Sequence, residues 1–226
     1  MTRNLRIVGA HLIAVTRNAP VRPGSAHVRV DDVALARRCT IGDRAAQREL
    51  FQRERRRVHG TLYRILGSNA EIDDLLQDAF IEIFRSLATF RGEAMLGTWI
   101  DRITVRVAYA YLTKRRVDTV HLALVPEPRG DELGADERAM TREAAAHLYA
   151  ALDRVPAAQR IAFALHVVDG RLIKDVAKTT NASVVATKVR IWRTWRALER
   201  AARRDPLLCD LLRAPSERRA SQGDGP

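Results

Sequence analysis

An all-helical fold is predicted: two small helical domains joined by a flexible linker, the second a helix-turn-helix. Three observations predict it. Trp, Tyr and Phe together make up only 5% of the 226 residues, while Ala, Leu, Arg and Val recur, which favours helix over an aromatic-rich sheet. Apolar residues return at three- and four-residue spacings through both halves of the chain. Between them "VPEPRGDELGADE" concentrates Pro, Gly and acids, a linker composition. The expected boundaries are a poorly ordered extension over 1–30, a first domain over 31–117, a linker over 118–136, a helix-turn-helix domain over 137–205, and a disordered tail over 206–226.

Asp32–Cys39 is a short helix candidate. Asp43 then suits the N-cap of a longer helix and Gly67 its left-handed end. Ala46, Leu50, Val58, Leu62, Ile65 and Leu66 give that helix a loose apolar stripe, which Gly60 weakens. The next segment has the sharpest pattern. Ile72, Leu75, Leu76, Ala79, Phe80, Ile83, Phe84 and Leu87 fall on one helical face. Asp74, Gln77, Asp78, Ile81, Glu82 and Arg85 fall on the other. An isoleucine exposed among acids and a glutamine marks a docking site for a basic partner helix, although Glu71, Asp73 and Asp74 also complement the positive helix end.

Gly92 and Gly97 break "FRGEAMLGT". A helix from Thr98 to Arg116 follows, with Ile100, Ile103, Val107 and Ala110 expected inward. Trp99, Arg102, Arg106, Tyr109 and Thr113 line another face, with Trp99 read as core. The last turn ends in Lys114, Arg115 and Arg116.

Beyond the linker, Pro156 opens a helix running to Gly170. The short helix "LIKDVAKTT" follows, Asn181 takes the turn, and Ser183 caps a longer basic helix: the helix-turn-helix order. Thr187, Ile191, Thr194 and Leu198 cluster on one side of the last helix. Val185, Lys188, Val189, Trp192, Arg193, Arg196 and Arg200 spread over the other. From Asn181 to Arg204 seven bases stand against the single acid Glu199, which suits insertion into a nucleic-acid groove.

The formal net charge is +12, and arginine far outnumbers lysine. A polyanion is the natural partner, because neutralising its phosphates releases counterions. Other classes are disfavoured. Cys39 and Cys209 lie far apart and outside any CxxC spacing, so they read as reduced thiols in a cytoplasmic protein. No HExxH pair, Walker loop or catalytic dyad is spaced for metal, cofactor or enzyme chemistry. No apolar run reaches membrane-spanning length, and the longest N-terminal one, Leu5–Val15, is short and carries His11.

With these residues in view, the chain resembles a bacterial RNA polymerase sigma factor of the extracytoplasmic-function type, from about Asp32 to Arg204. "EIDDLLQDAFIEIF" resembles the family's acidic-helix motif, followed by "FRG" and "TWIDRI". "RVPAAQR" resembles the Leu-Pro…Arg opening of its second promoter domain, "GRLIKDVA" the Gly…Glu-Ile-Ala short helix, and "TKVRIWR" its recognition helix. The resemblance implies a cytoplasmic initiation factor that directs core polymerase to promoters and melts DNA without chemistry of its own. It implies that Asp74, Gln77, Asp78, Ile81 and Glu82 dock on the β′ clamp helices, with the β flap a second polymerase contact. It assigns Phe90, Arg91, Arg102, Arg106, Tyr109, Lys114, Arg115 and Arg116 to the minus-ten element, where bases are unpaired and held by stacking and phosphate contacts. It assigns Val185, Lys188, Val189 and Arg190 to base edges of the minus-thirty-five element, and Arg193, Arg196 and Arg200 to its phosphates. An anti-sigma factor is a further partner of the family. Arg106 stands where the family usually has Asn, and Lys174 replaces a common acid. Val185 and Val189 stand near its usual Gly and Ser. The competing readings are a stand-alone helix-turn-helix regulator, which has no use for the Gln77–Ile81 strip, and a helical protein-binding adaptor, which needs no DNA affinity.

Overall fold

The computed structural model describes residues 30–68, 70–118 and 135–212; of residues 30, 116–118 and 135–142 only the backbone is described. The expectations for the N-terminal extension, most of the linker and the end of the tail lie outside these residues. The helices are α1 (Val30–Thr40), α2 (Arg44–Leu66), α3 (Ile72–Ser86) and α4 (Leu96–Asp118), then α5 (Ala135–Leu152), α6 (Ala157–Phe163), α7 (Ile173–Thr179), α8 (Val184–Ala202) and α9 (Pro206–Leu212). A 3-10 turn, Leu87–Thr89, follows α3, and a π turn, Ala164–Val168, extends α6.

The caps form where the sequence places them. Asp43 accepts from the N–H groups of Ala45 and Ala46, and Gly67 ends α2 at φ 72°. Ser183 starts α8 by accepting from Ala186, and Asn181 takes the left-handed turn before it at φ 48°.

In the first half α2, α3 and α4 pack against one another, with α1 laid on α2. The apolar face of α3 supplies Ile72, Leu75, Leu76, Ala79, Phe80 and Ile83 to that core. In the second half α6, α7 and α5 surround α8, whose Thr187, Ile191, Thr194 and Leu198 are buried. Two details differ from the sequence reading. Ala110 is exposed, because α4 instead turns Thr104, Val105, Ala108 and Leu112 inward. The tail does not begin at Pro206: that proline opens α9, whose Leu208 and Leu211 are buried against α8 and α5.

The halves meet along a polar seam, where α2 touches the π turn and α4 touches α6 and α7. Arg160 of α6, only 2% exposed, donates to the carbonyls of Ile65 (2.8 Å) and Leu66 (2.6 Å) and pairs with Asp153. These carbonyls lie in the last turn of α2, which has no further helical donors to offer them. Tyr149 donates its hydroxyl to the carbonyl of Arg64 at 2.9 Å, and burial drives its ionisation well above the ordinary tyrosine range. Its ring covers Gly67, where a Cβ would stand 2.1 Å away. Arg64 pairs with Asp169 at 3.0 Å, and Arg171 with Asp101 at 2.8 Å. Asp101 also accepts from Arg57. The buried charges are therefore paired, as a low-dielectric interior requires.

Candidate protein-docking and nucleic-acid interfaces

The buried face of α3 fixes what its other face presents. Asp73, Asp74, Gln77, Asp78 and Ile81 are all exposed, Ile81 by 40%. Glu71 makes no side-chain cap at the helix start, so Asp73 and Asp74 are the acids that meet the positive helix end. Glu82, at the rim of this face, is half-buried and accepts from Arg106 of α4 at 2.9 Å. A residue expected at the protein partner and one expected at DNA thus hold each other.

On α4, Arg102, Arg106, Tyr109 and Lys114 are exposed, and Tyr109 shows 47% of its surface. Their spacing puts the first three on one face. Arg115 is half-buried beside Tyr111. Burial first, then the nearby Glu71, raise the ionisation of Tyr111, while Arg115 acts against that rise. Arg116 lies in α4 with only its backbone described. In the preceding loop Arg91 is exposed, whereas Phe90 is half-buried and packs on the Trp99 ring with centroids 5.6 Å apart. Trp99 itself packs against the core, as expected of it.

On α8, Val185, Lys188, Val189, Trp192, Arg193, Arg196 and Arg200 all face solvent, opposite the buried threonines and Ile191. Arg190 is half-buried on the flank of this face. Arg196 pairs with Glu199 at 3.0 Å, and Arg200 donates to the Arg196 carbonyl. Among the described residues no group of three His, Cys, Asp or Glu side chains is placed to hold a metal ion, and no helix is long and apolar enough to cross a membrane.

The comparisons fit this geometry. The Sigma-70 region 2 family model matches residues 50–117, the stretch that carries α3 and most of α4. The ECF RNA polymerase sigma-E factor of Haemophilus influenzae is 29% identical over 181 residues, spanning 76% of this chain and 95% of that protein. The RNA polymerase sigma-H factor of Pseudomonas aeruginosa is 28% identical over 186 residues, covering 78% and 95%. Over about three quarters of its length the chain is similar to the extracytoplasmic-function sigma factors.

Two solved structures share this fold. One is CnrH in complex with the cytosolic domain of CnrY, at TM-score 0.51 and 19% identity, covering 77% of this chain and 98% of that one. The other is the sigma factor RpoE of Bartonella quintana in complex with the anti-sigma factor NepR, at TM-score 0.51 and 18% identity, covering 70% and 97%.

Sequence reasoning missed one part of the surface. Arg154, in the turn between α5 and α6, meets Arg193, Arg196 and Arg200 around a cleft of about 470 Å³ whose wall includes Trp192. The residues from α8 carry a periodic signal. Arg154 carries none, because it reaches the cleft only through the packing of α6 on α8.

Proposed function

We propose that this chain is a sigma factor that docks on core RNA polymerase through the outward face of α3, placing Asp74, Gln77, Asp78 and Ile81 on the β′ clamp helices. Acids there meet basic side chains, Gln77 both donates and accepts, and Ile81 fills an apolar spot. Glu82 joins them if its pair with Arg106 is exchanged for the partner. The β flap is a second contact.

Arg91, Arg102, Arg106, Tyr109, Lys114, Arg115 and Arg116 hold the opened minus-ten strands by phosphate contacts and stacking. Phe90 contributes through the loop it anchors on Trp99. Residues from Val185 to Arg190 approach base edges of the minus-thirty-five element, and Arg193, Arg196 and Arg200 its phosphates. DNA opens by binding energy, with no enzymatic step in this chain, and the protein acts in the cytoplasm.

The two elements are centred about 25 base pairs apart, about 85 Å at 3.4 Å per step. A packed chain of this size is only about 40 Å across. The seam between the halves therefore parts when both elements are engaged. An anti-sigma factor, the kind of partner seen with the Bartonella protein, regulates access to these faces.

The observation that carries the reading is the pairing of one outward acidic face, with Ile81 in it, with outward arginine faces on α4 and α8. The test is association of the purified chain with core polymerase and retention of promoter DNA by the assembled complex. A stand-alone regulator would bind DNA equally well without polymerase. An adaptor would bind no DNA.

A further inference from the structure

The DNA-facing side of α8 is not uniformly basic. Its N-terminal half carries three exposed valines, Val184 (43% exposed), Val185 (72%) and Val189 (38%); the last two share one face with Trp192 (53%), one turn further on, and Val184 lies about 100° round from Val185. At 100° per residue Val185, Val189 and Trp192 lie within about 60° of one another, on the side opposite the buried Thr187, Ile191 and Thr194. Lys188 and Arg193 flank them, both exposed. Exposure at Val185 is no accident of a frayed end, because Ser183 caps the helix immediately before it.

An aliphatic side chain neither donates nor accepts a hydrogen bond. At the edge of a base pair in the major groove only one group is its chemical match, the C5-methyl of thymine. The other edge groups are donors and acceptors, which an approaching valine would strip of water and leave unpaired. The cations on either side bring this strip to the phosphates and so fix its depth in the groove.

We propose that Val185 and Val189 are specificity-determining residues that select thymine methyl groups in the minus-thirty-five element. The proposal rests on the promoter-binding reading above and deepens it. Four residues of helix separate the valines by about 6 Å along the axis, less than two base-pair steps. The selected thymines therefore fall within two or three adjacent base pairs, on either strand. Trp192 lies further from the helix start and closes the strip toward the Arg154 cleft.

The test uses holoenzyme assembled from the full chain and core polymerase. A minus-thirty-five element is first selected from a randomised duplex library. Each thymine in it is then replaced singly by deoxyuridine, which removes the methyl group and nothing else. Two adjacent or nearly adjacent thymines should each show about a four-fold loss of affinity, the weight of one buried CH2 group. Val185→Ala should abolish the loss at one of them and Val189→Ala at the other. Both variants keep the helix, since alanine is the better helix former and neither valine is part of the core; an unchanged circular dichroism spectrum checks this. Wild-type binding that is indifferent to deoxyuridine at every position overturns the proposal, as does a loss that persists undiminished in both variants. In either case the promoter reading stands. Selection of no element at all overturns the promoter reading, and the methyl contact with it.

Discussion

Arg160 closes the end of a helix in the other half of the molecule: its guanidinium lies 2.6 Å from the carbonyl oxygen of Leu66. A second donor on the same group reaches Ile65. One buried side chain thus satisfies the last turn of α2 and ties α6 to it. Arg160→Ala should lower the free energy of unfolding by about 3 kcal/mol, since two carbonyls and the Asp153 carboxylate lose their donor. Urea titration of the purified protein measures this. A loss below about 1 kcal/mol would mean that the seam is not a stabilising contact.

Gly67 tests the same seam sterically. Its positive φ and the Tyr149 ring over it leave no room for a side chain. Gly67→Ala should destabilise the protein by more than about 1 kcal/mol, combining the left-handed strain with displacement of the ring. Hydrogen exchange should show α2 and α5 losing protection together. Loss confined to α2 would place the clash elsewhere.

The α3 face is exposed, so changes on it should leave the fold intact. The double substitution Gln77→Ala with Asp78→Arg should abolish capture by core polymerase at unchanged thermal stability. Capture at the wild-type level would remove α3 as the docking face.

Arg193 faces solvent beside the cleft. Arg193→Ala should weaken promoter binding by a similar factor on all sequences and reduce the slope of log affinity against log salt by about one. An unaltered slope would place that guanidinium away from phosphate.

Asp43 gives a pH test of α2. The Ala46 N–H, then the Arg38 guanidinium, hold its carboxyl below the ordinary aspartate range. A depressed folded-state pKa contributes stability above the unfolded value of about 3.9, lost as pH falls through the folded value. Asp43→Ala should therefore melt earlier than wild type at pH 7, and the gap should narrow as pH falls below the ordinary aspartate range. A gap that stays constant would mean that the cap does not depend on charge.

The local devices of this fold were legible because each has a local cause. The α3 face follows from 3.6-residue periodicity, and the Asp43, Gly67 and Ser183 caps from backbone chemistry. The outward residues of α4 and α8 were placed by the same angles. The seam was not legible. Arg160, Arg171 and Tyr149 carry no periodic signal that points across the molecule, and their partners on the far side of the seam stand 70 to 110 positions away. Ala110 was misplaced because small residues suit either side of a helix, so periodicity alone does not orient them. The helix at Pro206 had a signal in its proline and the Leu208–Leu211 spacing, but seven residues are too few for periodicity to separate helix from tail.

The most direct measurement is run-off transcription by purified core polymerase on a promoter library, with and without the full-length chain. Discrete transcripts should appear only when the chain is added, and disappear with the Gln77→Ala and Asp78→Arg double variant. Transcripts independent of the chain, or none under any condition, would contradict its role in promoter-directed initiation.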